Sequence, residues 1–165
     1  MFKVDISELP TEIKLVPENT YETIIKKAVY ATGVKNDKTW GRIDLTLAYL
    51  SSEIKDLLKM PEPSIRHGIM ISFDEKGDFA MGGNNNVQLG KLLESLDLRT
   101  KEANDDFLAN TDVSDDKDEQ YKIYFGNMSS ALTGRNLEIE VGKRAGYTDK
   151  TQLENYIKRI IFAKD

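Results

Sequence analysis

The sequence predicts a mainly β fold, an antiparallel sheet of about five or six strands with two short helices interrupting the strand order. Three observations carry this expectation. A long hairpin is written around Asn36-Asp37. Residues 40–49 alternate apolar and polar side chains with a period of two. The last third gives two strand-like runs joined by a polar loop. With 165 residues, 39% apolar side chains and no Gly/Ser-rich linker, the chain reads as one domain over 1–165, able to bury a real core.

In chain order, residues 1–19 read as an extended arm in which Pro10 and Pro17 break any helix. The runs TYETIIKKAVYATG and TWGRIDLTLAYL follow, rich in β-branched and aromatic residues, with the polar VKNDK between them. In the second run Ile43, Leu45, Leu47 and Tyr49 share one face, and Trp40, Arg42, Asp44 and Thr46 share the other. SSEIKDLLKM reads as a short helix capped by Ser51 or Ser52 and ended by Pro61 and Pro63. IRHGIMISFDEKGDFAMGG reads as two strands joined around Glu75-Lys76-Gly77. In NNNVQLGKLLESLDL, Val87, Leu89, Leu92, Leu93 and Leu96 fall at helical spacing behind Asn86 as a cap. Residues 99–120, with eight acids, read as an exposed, mobile acidic loop in which Phe107 and Leu108 dock. YKIYFGNMSSALTG opens the last third. RNLEIEVGKR follows with Leu137, Ile139 and Val141 inward, and the loop AGYTDKTQLE leads to a final strand held by Ile157 and Ile161.

Composition removes several function classes. There is no cysteine, so disulfides, thiol nucleophiles and thiolate metal sites are excluded. His67 is the single histidine, which leaves no multi-histidine metal site, and a surface or strand-end role fits it better than that of a catalytic base. No Walker A loop, GxGxxG or HExxH occurs. GDFAMGGNNN lacks the Lys-Ser/Thr of a phosphate cradle, and turn chemistry accounts for it. DVSDDKDE lacks the glycine and glutamate of a calcium loop. The expectation is a protein that is not an enzyme and carries no cofactor or metal. No apolar run approaches the ~20 residues of a membrane helix, so no membrane partner is expected. The pI of about 5.1 argues against coating nucleic acid by bulk charge, but a local basic groove can coexist with acids elsewhere.

Such local grooves are visible as aromatic and basic residues together. On the hairpin Lys26, Lys27 and Tyr30 precede the turn, Lys35 and Lys38 lie in it, and Trp40 and Arg42 follow. Trp40, the sole tryptophan, is either a stacking platform for bases beside cations that hold phosphates, or a satellite of the core folded over the sheet edge. In the late segment Lys143, Arg144, Tyr147 and Lys150 crowd one loop, with Lys158 and Arg159 on the last strand. Strict alternation separates Lys158 from Arg159 unless that strand carries a bulge. The loop reads either as a wall where oligonucleotides enter a small barrel or as a solubilising loop.

These residues carry a resemblance. ENTYETIIKKAVYATGVKNDKTWGRIDLTLAY resembles the opening hairpin of phage OB-fold single-stranded DNA-binding proteins, with their Y-x-x-x-I-x-x-A strand. VQLGKLLESLDL looks like their mid-chain helix, and LTGRNLEIEVGKRAGYTDKTQLENYIKRIIF is similar to their closing strands; the likeness spans residues 18–163. It implies a five-stranded, partly open OB-type barrel that coats single-stranded DNA in phage replication or recombination, without catalysis, in the cytoplasm of the infected host cell. It points to Tyr30, Trp40 and Arg42 on the hairpin and to Lys143, Arg144, Tyr147 and Lys150 on the late loop. Lys26 and Lys158 complete the expected DNA-binding set. Expected partners are single-stranded DNA, phage replication or recombination proteins, and further copies in a homo-oligomer. Some members keep an acidic C-terminal tail; this sequence ends FAKD and has its acidic tract at 112–119. The alternative is a non-enzymatic module that binds a host or phage replication factor through its acidic face.

Overall fold

β1 (Asn19–Lys35) and β2 (Lys38–Tyr49) form the hairpin, closed by a two-residue turn in which Asn36 and Asp37 both take positive φ, 52° and 62°. Short polar side chains tolerate this left-handed backbone, and its twist matches the right-handed twist of the strands. In this computed structural model, which describes residues 2–162, β3 (Ser64–Ile71) adds to β2, β4 (Asn136–Ala145) to β1, and β5 (Leu153–Ile161) to β4. All pairs are antiparallel, in the order β3-β2-β1-β4-β5. The edge strands β3 and β5 approach each other without a hydrogen-bonded ladder, so the sheet curls into an OB-like barrel left open along one seam. The closing residues 163–165, on which the expectation of a missing acidic tail falls, lie outside the described residues.

Alternation places the core as expected. Ile43, Leu45, Leu47 and Tyr49 are buried on β2, and Leu137, Ile139 and Val141 on β4. Two bulges alter the pattern elsewhere. Lys26 is the extra residue where the β1–β2 register shifts between Ile25 and Lys27. Lys158 is the extra residue on β5, where Glu140 pairs with Arg159 but Val141 pairs with Ile157. The second bulge moves the inward position from Ile161 to Ile160, which is buried while Ile161 is half-buried.

Among the described residues there are four α-helices rather than two. α1 (Ser52–Leu58) follows β2, with Ser51 at the cap position. α2 (Val87–Ser95) buries Leu89 and Leu92; Asn86 precedes it, but its side chain is bonded to Ser72 and Ala80 instead of capping the helix. The stretch 99–120 is ordered, not a loop. Thr100 caps α3 (Lys101–Phe107), a 3-10 turn spans Thr111–Val113, and Asp116 caps α4 (Lys117–Leu132). Phe107 is buried as expected, whereas Leu108 is 48% exposed. α4 contains YKIYFGNMSSAL: Tyr121, Phe125, Met128 and Leu132 fall on one helical stripe, and Phe125, Met128 and Leu132 are buried against the sheet. The expected second strand after Glu75-Lys76-Gly77 shrinks to one bridge, Phe73 with Phe79. There the Asp74 carboxylate accepts from the backbone N–H groups of Lys76 and Asp78 and folds the chain into a tight turn.

Candidate nucleic-acid interface

The outer face of β1–β3 is set by the same alternation. Trp40, Arg42, Asp44 and Thr46 point outward on β2, and the register partners of Arg42, Asp44 and Thr46 on β3 are Met70, Gly68 and Arg66. Trp40 lies outside the core cluster. It is paired with Gly33, where an added Cβ would lie 2.8 Å from the indole, so the ring rests against bare backbone. Gly68 does the same for Arg42: a Cβ there would meet the Arg42 Cδ at 2.8 Å. The Arg42 guanidinium in turn sits 5.4 Å from the Trp40 ring centroid. Two glycines thus allow an indole and a guanidinium to lie low on the sheet. Around them Lys35, Asn36, Lys38 and Met70 complete an open cleft of about 500 Å³.

Tyr30 does not join this surface. It pairs with Ile43 and shares that inward face, where its ring stacks on Phe125 of α4 at 4.6 Å. Burial pushes its hydroxyl pKa up. It serves packing between sheet and helix, and the correction follows from strand parity: Tyr30 and Trp40 occupy opposite faces of the hairpin. Lys26 is exposed at the bulge and paired with Glu62 at 3.0 Å.

The late cluster is also divided. β4 pairs with the beginning of β1, so its loop to β5 lies at the opposite end of the sheet from Asn36. Lys143 and Arg144, adjacent on β4, point to opposite faces. Arg144 lies 4.8 Å over the Tyr156 ring and is paired with Glu154 at 3.1 Å. Tyr147 is 91% exposed, and Lys150 is exposed beside it in the loop. The bulge brings Lys158 and Arg159 to one side, where both reach Glu140, at 3.9 and 2.6 Å. They border a second, larger cleft of about 1170 Å³ along the β3–β5 seam. His67 also lines that cleft, its pKa lowered by burial.

Sequence reasoning missed Arg66 and Met70, and the two glycines that clear space for Trp40 and Arg42. Carrying the two-residue alternation through SIRHGIMI would have placed Arg66, Gly68 and Met70 on one face. Among the described residues no group of three or more His, Asp or Glu side chains is placed to hold a metal ion, and no helix is long and apolar enough to cross a membrane. The charge is strongly partitioned. Residues 99–120 carry eight acids and three bases, a balance equal to the net −5 of the whole chain. No protein-family model matches the chain, and no curated protein matches it either.

Proposed function

We propose that this protein binds single-stranded DNA without sequence preference, in phage replication or recombination, and performs no catalysis. The observation that carries the reading is Trp40: a lone indole on an exterior sheet face, outside the core, flanked by Arg42 in a cleft with Lys35 and Lys38. Bases of any identity stack on such a ring at about 1–3 kcal/mol each, and the cations hold the phosphates. An open OB-like barrel supports the reading, since barrels of this kind take oligonucleotides across their second and third strands. DNA rather than RNA, the phage origin and a place in the host cytoplasm rest on the resemblance of the hairpin and closing strands.

The test is titration of the protein with oligo-dT, read by the fluorescence of its single tryptophan. Quenching that saturates, and that is weakened by salt, supports the proposal. No spectral change, together with no mobility shift of labelled oligo-dT at low salt, overturns it. Trp40→Ala is expected to weaken binding about tenfold with little change in Tm.

A further inference from the structure

We propose that the free edge of β1, beside α4, binds an extended peptide segment of another protein by adding it to the sheet as a strand. β1 is longer than its neighbour on one side. β4 pairs with it only from Asn19 to Ile24, and Gly134 and Arg135 close the ladder on Ile25. From Lys27 to Lys35 β1 is paired with β2 alone, and among the described residues no strand lies against its other edge. Lys35 and Lys38 flank the two-residue turn and form a hydrogen-bonded pair, so the odd-numbered residues bond β2. Ala28, Tyr30, Thr32 and Val34 therefore turn their N–H and C=O groups away from it. Alternating donors and acceptors match a peptide backbone, whereas a phosphodiester has no donor to give them.

The groove beside this edge is kept open by small residues. Residues from Ala28 to Tyr30 form one wall, and a stripe of Gly126, Ser129, Ser130 and Thr133 on α4 forms the other, around about 450 Å³. Gly126 sits within a 16-residue helix, where glycine costs stability, yet an added Cβ would meet nothing within 4 Å. Packing inside this chain does not call for it, whereas the close approach of a second backbone does. Ser129 is 6% exposed and its hydroxyl has no hydrogen-bond partner, so the groove already holds a polar group that a ligand can satisfy. Asp118 and Lys122 continue the stripe at four-residue steps before Gly126, and neither is held in an ion pair. Of the flanking charges Lys117 is paired with Asp78, Glu119 repeats the sign of Asp118, and Lys27 and Arg135 repeat that of Lys122. α4 runs opposite to β1, since its C-terminal end meets Ile25 while Phe125 stacks on Tyr30. Four residues of helix rise about 6 Å and two of strand about 6.7 Å, so the stripe keeps step with alternate residues of an added strand. A strand antiparallel to β1 then carries a basic residue against Asp118, an acidic one against Lys122 and a small one against Gly126. This edge is distinct from the outward face that bears Trp40, and the inference does not rest on the DNA-binding reading.

Heteronuclear NMR titration of the full chain with the peptide Ac-Thr-Lys-Thr-Glu-Val-Ser-Thr-NH2, and with the same peptide after its Lys and Glu are exchanged, tests the proposal. The first peptide is expected to bind saturably and to protect the amides of Ala28, Tyr30 and Thr32 from hydrogen exchange. Those of Val29 and Ala31, already bonded to β2, should gain no protection. The exchanged peptide should bind about tenfold more weakly, because two exposed attractive contacts become repulsive. Gly126→Leu fills the groove from a helical position with open space around it, so it should abolish binding with Tm at or above wild type. No saturable shifts with the first peptide, equal binding of the two peptides, or wild-type binding by Gly126→Leu would each overturn the proposal. Protection of Ala28, Tyr30 and Thr32 in the peptide-free protein would overturn it too. At every concentration it would mean that a segment of the same chain fills the edge; appearing only as concentration rises, it would mean that a second copy does.

Discussion

Arg42 donates to both carboxylate oxygens of Asp44, Nε to Oδ1 at 2.5 Å and Nη2 to Oδ2 at 3.1 Å. Single-contact ion pairs restrain other candidate cations: Lys26 with Glu62, Arg144 with Glu154, and Lys158 and Arg159 with Glu140. These pairs are open to solvent, with the Arg42 and Asp44 side chains 39% and 44% exposed, so they add little to stability. Their consequence falls on binding. On the proposed DNA-binding reading each carboxylate competes with a phosphate oxygen for its cation, and an incoming strand would have to displace it.

Removing that competitor is therefore expected to tighten binding. Asp44→Asn should raise affinity for oligo-dT about fivefold at low salt, the value of roughly 1 kcal/mol for one charge pair in water. The difference should shrink as salt rises. Anisotropy of a labelled oligonucleotide measures it, and unchanged or weaker binding would take Arg42 out of the phosphate path.

Gly33 gives a second test of the interface, separate from removing the tryptophan. Its φ is not in the left-handed region, so alanine fits the backbone, but the new Cβ would sit 2.8 Å from the indole. Gly33→Ala should lift the ring off the sheet, shift its emission and weaken oligo-dT binding severalfold, with Tm changed little. A variant with wild-type emission and wild-type affinity would show that the ring's contact with Gly33 is not what positions it.

How far these features are legible in the sequence depends on their range along the chain. The Asn36-Asp37 turn and the two faces of β2 are local, and two-residue alternation is enough to read them. α4 hides because its aromatic, β-favouring residues sit behind a run of acids, so the stripe from Tyr121 to Leu132 is cut from its own N-terminus at Asp116. Tyr30 misleads for a different reason: sequence proximity to Trp40 says nothing of face, and only the register places it against Phe125. The bulge at Lys158 depends on pairing with β4, so neither its effect on Ile160 nor its gathering of two cations at Glu140 is written in β5 alone. The ion pairs that restrain the candidate cations join residues as distant as Lys26 and Glu62.

Tyr49 predicts a gain in stability. Its ring is buried edge-on to Tyr21 at 5.5 Å, and its hydroxyl has no hydrogen-bond partner. Burial drives that hydroxyl's pKa far above the ordinary range for tyrosine. A buried polar atom left unsatisfied costs about 1–3 kcal/mol, so Tyr49→Phe should stabilise the fold by roughly 1 kcal/mol and raise Tm by about 2–4 °C. A lower Tm on thermal melting would mean the hydroxyl is satisfied after all.

His67 predicts a dependence on pH. Burial lowers its folded pKa below the unfolded value of 6.5, so below that point the unfolded chain binds the proton more readily than the folded one. Its neutral form is fully compatible with the fold above pH 6.5; as pH falls through the unfolded and then the folded pKa, stability is lost. Asp5 and Asp149, whose pKa values are lowered by bonds from Ser7 and Thr151, lose their contribution at lower pH, below the range in which the histidine titrates. Urea melts should show stability falling over the histidine's range in the wild type and a flatter profile in His67→Gln. An equal slope in both would assign the loss to other groups.

The last prediction separates the two basic clusters, which the register places at opposite ends of the sheet. At the hairpin end, Lys35 and Lys38 border Trp40. At the other end Arg144 is committed to Glu154 and Tyr156, and Lys143 faces away from it. One OB fold covers about 4–16 nucleotides, so oligonucleotide length decides how much of this span is bridged. For an oligomer of about 4 nucleotides seated on Trp40, Lys35→Ala/Lys38→Ala should flatten the salt dependence by about 1.4 units, at ~0.7 per phosphate on a single strand. Lys143→Ala/Arg144→Ala/Lys150→Ala should leave that slope unchanged. For about 16 nucleotides both variants should lose slope, because the longer strand reaches the loop that carries Tyr147. Neither variant should melt differently, since exposed cations contribute little to the fold. A late-loop variant that already flattens the slope on the shortest oligomer would place the primary contact at that end and remove Trp40 from the centre of the site.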